Sequence, residues 1–219
     1  MTARREAPDL MSPDASGEGA ATQRDAKRVL RRRLLDARAA RSADDRAAAT
    51  AALSAHVRDL ATGLTGPVAC YLPVGGEPGA RGSGTGTVAD ALLADGHTVL
   101  APVVPAEPGA LDWTTYTGPD GMTTGPLGVR EPAGPRLGVE AVGTAALVLV
   151  PALAVDRRGM RLGRGGGYYD RTLPLIGPDA LVAVLLYDDE LLDEVPAEPH
   201  DTPVPQVVLP GRGVVQVSP

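Results

Sequence analysis

Ala145-Ala146-Leu147-Val148-Leu149-Val150-Pro151-Ala152-Leu153-Ala154-Val155 is the strongest apolar run in the chain. It has no polar residue on either face of a strand, so it predicts a central strand of a parallel sheet, buried on both sides. Outward from it, Leu181 to Tyr187 and Val204 to Leu209 read as further strands on the C-terminal side. On the N-terminal side, Val68 to Val74 and Thr98 to Val104 read as strands, and Leu111 to Thr117 as one of edge character. Between them lie helical segments. The first is expected from Gln23 to Ala40, opened by the capping-box-like pair Thr22 and Asp25 and carrying the stripe Ala26, Val29, Leu30, Leu34, Ala37. Ser42 and Asp45 open a second helix to about Ala61, which Gly63 and Gly66 end. Val88 to Asp95 and Tyr168 to Leu175 are shorter helices, and Gly118 to Gly143 is read as mostly irregular. Strands alternating with helices predict an α/β fold: a three-layer domain with a mainly parallel central sheet flanked by helices. Residues 1–21 are polar and without periodicity and read as a disordered tail, leaving 22–219 as a single domain.

Ligands of such sheets bind at the carboxyl ends of the strands, so the segment after the apolar run is the first place to look. It reads Asp156-Arg157-Arg158-Gly159-Met160-Arg161-Leu162-Gly163-Arg164-Gly165-Gly166-Gly167-Tyr168-Tyr169-Asp170-Arg171. Four glycines fall within the five positions 163–167, interleaved with arginine. Glycines let backbone N–H groups approach an anion, and a following helix start adds its positive end. Arg161 and Arg164 are placed to clamp phosphate oxygens, and Asp170 to hold magnesium, which is commonly bound by one or two carboxylates plus phosphate. The bland alternative is a flexible hinge. The spacing matches neither a P-loop nor a dinucleotide fingerprint.

The stretch Val150 to Arg171 resembles the signature of the 5-formyltetrahydrofolate cyclo-ligase family, also called methenyltetrahydrofolate synthetase. The match includes Asp156, Gly159, Arg161, Leu162, Gly163, Gly165, Gly167, Tyr168, Tyr169, Asp170 and Arg171. Three other segments follow the family in order: Lys27-Arg28-Val29-Leu30-Arg31, Tyr71-Leu72-Pro73-Val74-Gly75-Gly76-Glu77, and Pro196, Glu198, His200, Asp201. Gly128-Val129-Arg130-Glu131-Pro132 is similar as well. Two positions depart, Ala152 for glycine and Val155 for phenylalanine, and neither removes a chemical group. The stretch after Glu77 is also longer than usual, through the Gly/Ser insert at Gly82 to Gly86.

The resemblance implies ATP-dependent closure of 5-formyltetrahydrofolate to 5,10-methenyltetrahydrofolate. It implies ATP contacts from Lys27, Arg28, Arg31, Arg161, Leu162, Gly163, Arg164, Gly165, Gly166, Gly167, Tyr168 and Tyr169. It implies folate contacts from Leu72, Glu77, Arg164, Gly165, Gly166, Gly167 and Tyr168, with Arg161, Arg164 and Tyr168 nearest the chemistry. Magnesium as cofactor would sit on Asp170 and Asp201. Two other readings stay open: a nucleotide- or folate-binding regulator without turnover, and a sugar-phosphate isomerase or acyl-transferase relative on a similar sheet.

Of the 21 basic residues only Lys27 is lysine, in a chain that otherwise uses arginine. A compact, mobile point charge is what lysine supplies and guanidinium does not. A net charge of −6 argues against a nucleic-acid-coating surface. No apolar run reaches the roughly 20 residues of a membrane span, Met1 to Ala21 lacks a secretory apolar stretch, and Cys70 is the single cysteine. The expectation is a cytoplasmic protein, and nothing in the residues demands more than a monomer. The remaining polar residues have structural readings: Cys70 a buried thiol, Asp156 a loop-shaping acceptor, Tyr169 chiefly a packing residue, Arg157 and Arg158 a solvated turn, His56 and His97 surface or structural groups.

Overall fold

The computed structural model describes residues 15–80, 86–125, 128, 130–198 and 201–217, with side chains from Thr22 onward. Its elements, in chain order, begin with α1 (Ala15–Ala40), α2 (Ala43–Ala61), β1 (Val68–Cys70) and α3 (Val88–Ala94). There follow β2 (Val99–Val103), β3 (Asp112–Thr115), β4 (Met122–Thr124), β5 (Arg130–Pro132) and β6 (Leu147–Pro151). The C-terminal part holds β7 (Ala154–Asp156), β8 (Arg161–Leu162), α4 (Tyr168–Thr172), β9 (Leu181–Leu185), β10 (Leu191–Leu192), β11 (Gln206–Leu209) and β12 (Gly213–Gln216).

Seven strands form the main sheet in the order β12-β11-β9-β6-β1-β2-β3. The five inner strands are parallel, and the two edges, β12 and β3, are antiparallel. β6 is central, as its composition predicts. Its side chains alternate between two separate cores, which is why an uninterrupted apolar run is needed there. Leu147 and Leu149 pack with Leu53 and Val57 of α2 and Val88 and Leu92 of α3. Val148 and Val150 pack on the other side with Val142, Trp113, Leu173 and Leu175. The α/β, three-layer expectation therefore holds.

The helix boundaries follow local chemistry where a cap exists. The Ser42 hydroxyl accepts from the Asp45 amide at 3.0 Å and opens α2. Thr87 and Asp90 form a reciprocal capping box at the start of α3. The first helix differs from expectation: it begins at Ala15, so Thr22 and Asp25 lie inside it and Ala15 to Ala21 are helical, not tail. Residues 1–14, most of the Gly/Ser insert, Val129 and His200 lie outside the described residues.

The apolar run itself is divided. The main sheet takes it only as far as Pro151, paired with Leu185. The chain then turns, and β7 joins a second, three-stranded sheet in the order β10-β7-β8. Leu34 of α1 packs with Leu153, Ala154 and Leu162 of this small sheet. The region from Gly118 to Gly143 is also more ordered than expected, since β4 and β5 pair as an antiparallel ribbon.

Candidate active site

The division of the apolar run is what builds the site. Leu153 N–H donates to the Leu162 carbonyl at 2.7 Å, and β7 and β8 pair antiparallel. Asp156 to Met160 is thus the tip of a hairpin, and the glycine cluster follows β8 instead of following the central strand directly. Asp156 is fully buried and closes the tip, accepting from the amides of Arg158 at 2.9 Å, Met160 at 3.0 Å and Val195 at 3.2 Å. Burial works against its ionisation, but the Arg158 guanidinium and those amides outweigh it and hold the carboxyl below the usual range. Asp156 is the loop-shaping acceptor that the sequence suggests. The exposed Arg158 is more than a solvated turn residue, because two of its nitrogens bond Asp156.

The glycine segment Gly163 to Gly167 runs from β8 to α4. Gly165 and Gly167 have φ of 101° and 67°, in the left-handed region that disfavours a side chain. α4 spans only Tyr168–Thr172 and then passes into a turn at Leu173–Leu175, where Pro174 lacks the N–H needed to continue. It is shorter than the helix expected to Leu175, so its dipole adds little and the arginines carry the positive field. Arg171 fastens this segment from outside. Its Nε donates to the Gly109 carbonyl and one terminal nitrogen to the Gly166 carbonyl, both at 3.0 Å, and its guanidinium lies 5.5 Å over the Tyr168 ring.

One cavity of about 640 Å³ gathers most of the expected residues. Its wall includes Lys27, Arg28 and Arg31 of α1, Glu77, Arg161 to Asp170, and Asp201. Arg31 Nε donates to the Gly163 carbonyl at 2.9 Å and ties α1 to the glycine segment. Lys27 is 7% exposed, and its Nζ bonds Asp201 Oδ2 at 2.7 Å and Glu198 Oε2 at 3.3 Å. Arg28 is exposed and paired with Asp25. Arg161 has a buried side chain, one terminal nitrogen on Asp170, and a buried Nε without a partner among the described residues. Arg164 Nε meets Glu77 Oε1 at 2.8 Å, and Glu77 Oε2 accepts from the Val74 amide at 2.8 Å. Tyr169 packs against both cores while its hydroxyl is buried and unpartnered among the described residues; burial pushes that hydroxyl well up.

Leu72 is the candidate that does not line this cavity; it is half-buried against the main core. Conversely, Glu198, Arg24, Asp25, Pro151 and Ala152 line the cavity without having been expected in the site from sequence. Glu198 could have been read from its place three residues before Asp201. Cys70 is buried and burial pushes its thiol up to about 12, as expected of an inert group. His56 bonds the Pro210 carbonyl at 3.1 Å, a structural role.

No group of three metal-ligating side chains stands ready among the described residues. Magnesium needs none when phosphate oxygens complete its shell. Asp170 is half-exposed at 46% on the cavity wall, and Asp201 faces the same cavity with Oδ2 engaged by Lys27 and by the Glu198 amide at 2.8 Å. Two hard-oxygen carboxylates among arginines fit a magnesium–phosphate pair.

A mainly parallel sheet whose cavity is lined by glycines, cations and the carboxylates of Asp25, Glu77, Asp170, Glu198 and Asp201 is the arrangement of an α/β protein with its ligand site beyond the strand ends. Comparison with known proteins narrows this. Residues 23–210 match the model of the 5-formyltetrahydrofolate cyclo-ligase family, and the chain belongs to that family. It is 46% identical over 157 residues to the 5-formyltetrahydrofolate cyclo-ligase of Mycolicibacterium smegmatis, covering 69% of this chain and 78% of that one. It is 31% identical over 147 residues to the Escherichia coli K12 cyclo-ligase, covering 66% and 78%. The fold is similar to the NMR structure of Aquifex aeolicus 5,10-methenyltetrahydrofolate synthetase, with a TM-score of 0.67 and 24% identity over 87% of this chain and 92% of that one. Among the described residues no helix is long and apolar enough to cross a membrane.

Proposed function

We propose that this chain closes 5-formyltetrahydrofolate to 5,10-methenyltetrahydrofolate at the expense of ATP, releasing ADP and phosphate. The observation that carries the reading is the convergence of Lys27, Glu77, Arg161, Arg164, Gly165 to Gly167, Asp170 and Asp201 on one cavity. Membership of the family supplies the reaction class.

The formyl oxygen is a poor leaving group. Transfer of the γ-phosphoryl to it makes a good one. Nitrogen 10 then attacks the formyl carbon, the carbon–oxygen bond breaks, and the oxygen departs with phosphate. The protein's part is placement and charge neutralisation. Arg161 and Arg164, with the amides of Gly165 to Gly167, take the phosphate oxygens. Lys27 and Arg31 face the same cavity from α1 and add cationic contacts, with Arg28 at the rim. Glu77 hydrogen-bonds the pterin amides of the folate, and Tyr168 lies against it. Asp170 and Asp201 would hold magnesium, which when bound neutralises phosphate charge. Leu72, off the cavity wall, supports the folate side only through packing.

The test is absorbance of methenyltetrahydrofolate with purified protein, 5-formyltetrahydrofolate and magnesium. A rise that needs ATP is the expected result. Folded protein that gives no rise, yet binds ATP, sinks the catalytic reading and leaves a binding protein.

A further inference from the structure

We infer that Arg38 is a positioning residue for the folate wall of the cavity, an assignment that rests on the cyclo-ligase reading above. Arg38 lies on α1, outside the cavity lining, with only 2% of its side chain exposed. Its Nε and one terminal nitrogen grip both oxygens of the equally buried Glu190, at 2.7 and 2.8 Å. The same terminal nitrogen donates to the Ala152 carbonyl at 2.6 Å. Ala152 lines the cavity at the point where the chain leaves the main sheet.

The second wall is reached through Gly76. A side chain there would stand 3.3 Å from both Cβ and the backbone oxygen of Arg38, so the turn that presents Glu77 lies directly on Arg38. Tyr187 secures the same turn, donating from its hydroxyl to the Gly76 carbonyl at 3.3 Å. Glu190 Oε2 in turn accepts from the Tyr187 amide at 3.0 Å. Arg38, Glu190 and Tyr187 therefore form one buried unit. It holds Ala152 by the Arg38 hydrogen bond, and the Gly76-Glu77 turn by the Tyr187 hydrogen bond and by contact with Arg38.

A buried ion pair is a poor source of stability compared with an apolar pair of the same volume. Its use is geometric: a bidentate guanidinium fixes direction as well as distance. Here the fixed direction sets the separation between the Glu77 turn and the start of the β7–β8 hairpin. Side chains that position a binding group act through ligand affinity, because a misplaced wall weakens the bound complex.

The test is steady-state kinetics of the wild type, Arg38→Lys and Tyr187→Phe, with thermal melts alongside. Tyr187→Phe keeps the ring that Arg41 covers at 4.0 Å, and so tests the turn without opening the buried pair. KM for 5-formyltetrahydrofolate should rise about fivefold in each variant, the order of one lost hydrogen bond. KM for ATP should stay within about twofold of wild type by the same measure. Lower melting temperatures with both KM values unchanged, or an equal rise in both, would overturn the assignment. A wild type with no turnover sinks the cyclo-ligase reading and this assignment together; turnover with unaltered variants sinks the assignment alone.

Discussion

Arg164 and Glu77 meet at 2.8 Å and join the glycine segment to the turn after β1. A second Arg164 nitrogen donates to the Val74 carbonyl at 3.1 Å, so the contact is to the turn as well as to its carboxylate. The proposed phosphate side and folate side of the cavity are thus linked through one ion pair before any ligand binds.

Glu77→Ala is expected to raise KM for 5-formyltetrahydrofolate far more than KM for ATP. Arg164→Ala should raise both. Because Arg164 is about half-exposed at 47%, the direct coupling of the pair is small, of order 1 kcal/mol or less. A double-mutant cycle in folate binding measures it, and strict additivity would mean that the pair does not link the two sides.

Lys27→Ala removes the cation from Asp201 and Glu198 and from the proposed phosphate side. ATP affinity should fall roughly ten- to hundredfold, the range of a charge-assisted hydrogen bond. Folate affinity should change little. Calorimetric titration with ATP and magnesium, then with folate alone, separates the two; an equal loss for both ligands would mean that Lys27 does not serve the phosphate side selectively.

Asp156→Asn should destabilise the fold by about 1–3 kcal/mol at neutral pH, from loss of the charge that three amides and Arg158 are oriented to receive. The sign with pH follows from the depressed carboxyl. Its stabilisation is fully present above the unfolded value of about 4 and is lost as pH falls through the lower folded value. The gap between denaturant melts of the two proteins should therefore begin to narrow below about pH 4 and close only below the depressed folded value. A gap that stays constant down to acid pH points to packing, not charge.

Cys70 should resist alkylation in the native state. Its thiol is buried and pushed up to about 12, so almost no thiolate exists at pH 8. Iodoacetamide labelling should track global unfolding by denaturant. Fast labelling of folded protein would show that β1 opens locally.

Gly159→Ala should be costly. Gly159 has φ of 81°, and an added Cβ would stand 2.3 Å from the Val204 carbonyl oxygen. A loss of at least 1–2 kcal/mol is expected from the backbone alone. Unchanged stability in a thermal melt would mean that the hairpin tip moves away from Val204 freely.

Much of the architecture is legible in the residues because it is locally encoded. Apolar runs without alternation mark strands buried on both faces, and Leu147 to Val150 is the clearest case. Ser42 with Asp45 marks a helix start through a contact three residues apart. The long glycine–arginine motif names the family for a related reason: its spacing is contiguous in the chain. The boundaries that failed have non-local causes. Val155 and Leu149 are equally apolar, yet only the second belongs to the main sheet. β7 instead finds partners in β8 and β10, the latter more than thirty residues away in sequence.

The sequence by itself determined the α/β class, the central strand and the family motif from Asp156 to Arg171. Only the tertiary structure decided that Lys27 meets Asp201 and Glu198, that Glu77 meets Arg164, that Leu72 packs on the main core outside the cavity lining, and that Arg38 is held by Glu190. The physical reason is separation along the chain. Lys27 and Asp201 are 174 positions apart and Arg38 and Glu190 are 152 apart, so no local pattern carries their pairing. Their partners are chosen when the sheet, α1 and the small second sheet close around one cavity.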